Sequence, residues 1–174
     1  MALAVGTCAY AEGFETRVMQ AMIRDIEFIT QNSSLEYAGQ DLPGVTVVSA
    51  DALQQLFRSS ETHVSAKQDD NSPARVSALY DRFANRIFLD DMNAVAGPAM
   101  LHELVHYLQA INDKEDMFVS HIVCLEAEAY DVQAIWQTEN EIDLASRPQY
   151  GFVTTLFGIC NDADFSWMDG AYGR

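Results

Sequence analysis

Apolar positions recur at close to helical spacing over residues 12–31, at Phe14, Val18, Met22, Ile26 and Ile29, and predict an amphipathic helix. Asn32-Ser33-Ser34 breaks that run, and a polar loop follows to Pro43-Gly44. The β-branched segment Val45-Thr46-Val47-Val48 predicts a strand. Ser49 or Asp51 can then cap a short helix from Ala52 to Phe57. Residues 59–73 are polar, contain Asp69-Asp70-Asn71-Ser72-Pro73, and predict a loop. Val76 to Tyr80 and Arg86 to Leu89 predict two strands joined as a hairpin through Asp81-Arg82-Phe83-Ala84-Asn85. Asn93 to Pro98 leads into an apolar helix that includes Ala99 to Leu108, with Pro98 near where a helix begins. A charged turn follows at Asn112 to Asp116, then a second long helix from His121 to Gln137, and a further short helix at Phe152 to Ile159. No repeat or low-complexity tract interrupts the pattern, and the mixture of elements predicts an α+β fold.

Composition narrows the picture. At 174 residues the chain is expected to form one domain, over residues 12–174, with enough length for an independent core. With 26 acidic against 10 basic residues, the net charge of -16 repels phosphate backbones and anionic membranes. No nucleic-acid partner is therefore expected, and no apolar run is long enough to span a membrane. Residues 1–11 are apolar and uncharged and end in Ala9-Tyr10-Ala11, a small-x-small pattern like a signal-peptidase site. They read equally well as a residual signal segment or as the start of the first element. The first reading implies a periplasmic or secreted protein in which Cys124 and Cys160 can pair as a disulfide; the second leaves a cytoplasmic protein with buried thiols.

The chemistry concentrates in His102-Glu103-Leu104-Val105-His106, an H-E-x-x-H pattern inside the apolar helix. Residues four apart share a helix face, about 6 Å apart along the axis, so the two imidazoles can bind one zinc ion. Glu103 projects about 100° round the helix from His102, where it can reach a water on the metal rather than the metal itself. That disposition suits a general base and suggests metal-assisted hydrolysis, with a peptide as the default substrate.

A catalytic zinc needs a third protein ligand and an open position. The pattern H-E-x-x-H-x-x-G-x-x-H is not present, since Gln109 stands in place of the glycine and Asn112 in place of the histidine. The inverted H-x-x-E-H form is also missing. The chain then resembles the glutamate-zincin arrangement, which implies a carboxylate ligand from a later helix, and two glutamates of the second long helix compete for the role. Ile122, Glu126, Ala129 and Gln133 form one stripe of that helix; Leu125, Glu128, Val132 and Ile135 form another. Periodicity does not choose between Glu126 and Glu128. Glu126 is favoured because the small Ala129, one turn on, lets two helices approach closely.

These segments resemble the glutamate-zincin class of zinc metallopeptidases. Glu126-x-x-Ala129-Tyr130 is similar to the E-x-x-A-[DN] signature of several such families, with tyrosine where Asp or Asn is usual. The set H-E-L-V-H-Y-L-Q followed by E-A-E-A-Y-x-x-Q looks like small bacterial proteins of metallopeptidase type. The resemblance spans about residues 74–138. It implies a minimal zincin-like core in which a small sheet packs on an active-site helix and a ligand-bearing helix. It also implies that the strand before the active-site helix, Arg86-Ile87-Phe88-Leu89, is the sheet edge that pairs with an extended substrate. Asp131 is expected to replace the usual carboxylate that orients an imidazole.

The expected assignment is zinc held by His102, His106 and Glu126, Glu103 as catalytic base, and a peptide or protein substrate. Tyr130, His121, Tyr107 and Tyr150 are the candidates to stabilise the oxyanion. The alternative is a non-catalytic binding or regulatory domain that keeps the metal for stability.

Overall fold

The computed structural model describes residues 6–59, 76–112 and 119–142, with side chains from Gly13 in the first stretch and from Cys124 in the last. The predicted loop over 59–73, the short helix at 152–159, and the expected continuation of one domain to residue 174 fall wholly or largely outside them. The fold is α+β, with four α-helices and a three-stranded mixed sheet among the described residues. None of the described helices is long and apolar enough to cross a membrane.

Helix α1 spans Gly6–Asn32, starting earlier than the apolar spacing indicates. Its buried stripe is Val18, Ala21, Met22, Ile26 and Ile29, as the periodicity requires. At its end Asn32 donates to Phe28 O and Ser33 to Ile29 O, so polar side chains satisfy carbonyls that the helix leaves free. Strand β1 is Gly44–Val47 and helix α2 is Ala50–Ser59. Ser49 caps α2, its hydroxyl accepting from Ala52 N at 3.2 Å.

Strands β2 (Ala78–Asp81) and β3 (Arg86–Leu89) form the predicted antiparallel hairpin. Asp81 closes its turn by accepting from Phe83 N and Ala84 N, and Asn85 takes the left-handed conformation at φ 44° that this residue type tolerates. The strand order is β1-β3-β2, with β1 parallel to β3. Arg86–Leu89 is therefore the central strand and not a sheet edge. The hairpin pattern reveals only one of its neighbours; the parallel pairing of Val45 with Ile87 and Val47 with Leu89 occupies its other side. Among the described residues β2 is the edge nearest the helix that carries the histidines.

A short 3-10 helix, Met92–Ala96, is capped by Asp91 and leads through Gly97 to α3, Pro98–Ile111. Proline opens α3 because its missing N–H is one that a first turn cannot use. Nine consecutive or near-consecutive residues of α3 are buried, from Met100 to Gln109. A helix buried on nearly all faces must lie at the centre, and α3 packs against α1, α4, β2 and β3. Asn112 ends it: its side chain donates to Leu108 O and Glu36 O and accepts from Glu36 N. The position that a third histidine ligand would take instead fastens the loop after α1 to the end of α3.

Helix α4 spans Val119–Glu139. Side-chain contacts run from His102 to Gln133 at one end and from Gln109 to Leu125 at the other, so α3 and α4 are antiparallel. Fully buried Ala129 lies in the seam between them.

Candidate metal centre

Helical spacing puts His102 and His106 one turn apart on the face of α3 that meets α4, and their Nε2 atoms converge to 3.1 Å. Glu126 arrives from α4 with one carboxylate oxygen toward each imidazole, Oε2 at 3.4 Å from His102 Nε2 and Oε1 at 3.3 Å from His106 Nε2. Tetrahedral zinc with bonds of about 2.0–2.2 Å separates its ligand atoms by roughly 3.3–3.5 Å. The two imidazoles and the carboxylate bring one ligand atom each within 4.8 Å of one another, near the spacing that a single zinc ion would draw together. The side chains keep 11%, 16% and 34% of their surface exposed for His102, His106 and Glu126, so the cluster is not sealed from solvent.

The outer faces of the imidazoles decide what the inner faces are. His102 Nδ1 lies 3.0 Å from Gln133 Oε1, and His106 Nδ1 lies 2.9 Å from Gln109 Oε1. A carbonyl oxygen only accepts, so both Nδ1 atoms donate. In a neutral imidazole the Nε2 then carries a lone pair. Two lone pairs and a carboxylate facing one point repel each other unless a cation sits among them, and the candidate cations are a proton or a metal ion. The donor set of two imidazoles and one carboxylate fits zinc. These three are the metal-competent group found among the described residues.

Electrostatics agree with that geometry. Burial alone would push the His106 imidazole down, but the charge and hydrogen bond of Glu126, the charge of Glu103 and the bond to Gln109 together carry it up to about 10. Burial would raise Glu126, yet the charge of His106 and the hydrogen bonds of both histidines hold it well below the usual carboxylate range. The metal-free site therefore keeps a cation at its centre in the form of a proton.

The structure brings Glu126 to the imidazoles and takes Glu128 elsewhere: its Oε2 accepts from Gln109 Nε2 at 2.9 Å. Glu103 is buried beside the site, with Oε2 accepting from the backbone N–H of Tyr80 on β2 at 2.7 Å. The Tyr130 ring packs 4.5 Å from that of His102. Burial first, then the charges of Glu126 and Glu103, push its phenol up to about 12, which keeps it protonated and able to donate.

Two expectations are corrected. Tyr107 is not positioned as an oxyanion donor, because its hydroxyl donates to Asp41 O at 3.1 Å and its ring meets Tyr80 edge-on. Asp131 is exposed and orients no imidazole; Gln109 and Gln133 do so. The side chains of His121 and Tyr150 lie outside the described residues. Cys124 is disulfide-bonded, and its expected pairing with Cys160 also lies outside them. Signals for the two glutamines were present, since Gln133 shares the stripe of Glu126 and Gln109 stands three residues after His106. Neither could be weighted without the helix pairing. No family model, curated protein or solved structure matches this chain.

Proposed function

We propose that this protein is a zinc metallopeptidase, with His102, His106 and Glu126 as ligands in a zincin-like core. The observation that carries the reading is the gathering of two imidazole nitrogens and a carboxylate within 4.8 Å of one another, each imidazole 3.3–3.4 Å from one oxygen of Glu126, with Glu103 on the same helix beside them. Bound zinc supplies Lewis acidity and lowers the pKa of a water to about 7. Glu103 takes the proton of the attacking water and returns it to the leaving amine. The hydrogen bond from Tyr80 N fixes one oxygen of Glu103 and leaves the other for that transfer. The Tyr130 phenol, held protonated, donates to the oxyanion that develops on the substrate carbonyl. The disulfide at Cys124 supports a periplasmic or secreted setting for this activity.

One observation favours the second reading, a metal-stabilised binding or regulatory domain: Glu103 has a structural partner in β2 as well as a position near the site. The Glu103→Gln variant separates the two. A peptidase keeps its zinc and loses about a hundredfold or more of its turnover of a mixed peptide library. Unchanged turnover with zinc retained rejects the role of Glu103 and the catalytic reading with it.

A further inference from the structure

The amides behind the two imidazoles differ in their wiring, and the difference has consequences for metal binding. Gln109 is fully buried, and its Nε2 donates both to Leu125 O and to Glu128 Oε2, each at 2.9 Å. Rotating the amide by half a turn would set its oxygen against a carbonyl and a carboxylate, and its NH₂ against a donor. Its orientation is thus fixed, and with it the proton on His106 Nδ1. Leu125 and Glu128 flank Glu126 on α4, so one side chain sets both the tautomer of His106 and the helical turn that presents the third ligand. Gln133 is simpler. It reaches from α4 to His102 Nδ1 at 3.0 Å, and its oxygen is the atom that touches the imidazole.

We infer that Gln109 and Gln133 are positioning residues for the metal, neutral acceptors that preset both imidazoles with their Nε2 lone pairs inward. The inference rests on the zinc reading of the site and adds what controls its affinity. Hydrogen bonding to the far nitrogen orients a ligating histidine and raises its basicity, and losing such a partner lowers metal affinity about 10- to 100-fold. An amide withdraws less of the Nδ1 proton than a carboxylate does, so this pair orients the imidazoles without making them strong donors. The two positions then respond differently to the same change. A carboxylate at 133 is still an acceptor and a stronger one. A carboxylate at 109 faces Leu125 O and Glu128 with no hydrogen to offer and repels both.

The test is zinc affinity of the full chain by competition with a chromophoric chelator, with the ligand-field spectrum of the cobalt-substituted protein as a second readout. Gln133→Leu is expected to weaken zinc about 10- to 100-fold. Gln133→Glu is expected to bind at least as tightly as the wild type, whereas Gln109→Glu and Gln109→Leu both weaken it. A role confined to packing predicts instead that Gln133→Leu and Gln133→Glu behave alike, and that result overturns the inference. So does wild-type affinity in Gln133→Leu. The partly buried position 133 keeps the test decisive if the buried 109 variants fail to fold. A wild-type chain that takes up no zinc fails the functional reading itself, whereas a zinc-binding wild type with indifferent variants fails this inference alone.

Discussion

Among the described residues, carboxylates withdrawn wholly or partly from solvent are treated in opposite ways in two settings. On α1, Asp25 is 1% exposed and receives both of its hydrogen bonds at Oδ1 from neighbouring Arg24, while Oδ2 has no partner. Burial outweighs the help of Arg24 and raises its pKa, so the fold disfavours its charge. On α3 and α4, Glu103 accepts from a strand N–H and Glu126 faces two imidazoles. Desolvation works against the charge of Glu126, but the charge and hydrogen bonds of the two histidines hold it well below the usual carboxylate range. Asp25 and Glu103 are buried and Glu126 is partly so. What separates them is the donors that a second element brings: β2 supplies one to Glu103, α3 presents two imidazoles to Glu126 across the α3–α4 seam, and among the described residues Asp25 has only its chain neighbour Arg24.

The largest effect should come from removing a ligand at that seam. His106→Ala is expected to lower zinc affinity by more than about a hundredfold, while Asp25→Asn leaves it unchanged in the same chelator competition. Chelation of the wild type should lower the melting temperature, since zinc at a hundredfold excess over its Kd contributes about 2.7 kcal/mol. Equal zinc affinity in His106→Ala would remove the distinction between the two settings.

Next in size is the anchor of Glu103. Glu103→Ala leaves the Tyr80 N–H without its partner beside the core and should cost about 1–3 kcal/mol in denaturant unfolding. Glu103→Gln keeps an acceptor oxygen and should cost less. If the two variants unfold alike, the contact with β2 contributes nothing.

The pH dependence of the metal-free protein follows from His106. Its folded pKa of about 10 is raised above the ordinary 6.5, so the stability it contributes is fully present below 6.5 and is lost as pH rises through 10. Glu126 is shifted the other way, and its contribution is present above 4.5 and lost only on acidification below it. Thermal melts of the metal-free protein should therefore fall from about pH 7 toward pH 10, and zinc should flatten that slope by replacing the proton. A flat metal-free profile over that range contradicts the paired arrangement.

The smallest change is expected at Asp25. Its folded pKa is raised above 3.8, so as pH climbs past that value the charged form is increasingly disfavoured and stability falls. Asp25→Asn should raise the melting temperature by a few degrees near neutral pH, corresponding to about 1 kcal/mol or less, with the gain shrinking towards pH 4. A gain of equal size at both pH values would trace it to packing and not to charge.

Much of this was legible in the chain. The spacing of Val18, Met22, Ile26 and Ile29 located the buried face of α1, and Asp81 with Asn85 marked a hairpin turn that the backbone adopts. Pro98 located the start of α3. The pair His102 and His106 needed nothing beyond helical geometry, because ligands one turn apart on one helix are a local property. The choice between Glu126 and Glu128 was of another kind. Both lie on α4, and the rotation of α4 about its own axis is set by packing of Ala129 and Val132 and by Gln109 holding Leu125 O. Tyr107 and Asp131 misled for the same reason: residue type suggested a role, and the direction of the side chain denied it.

Sequence alone thus determined the period of each helix, the hairpin, the two histidines and the carboxylate between them, since each depends on interactions within a few residues of chain. Tertiary structure decided which glutamate meets the imidazoles, that β3 lies at the centre of the sheet, and that Gln109 and Gln133 set the protons of His106 and His102. Those outcomes depend on the rotation and register of elements against one another, and only the collective packing of the core fixes such degrees of freedom.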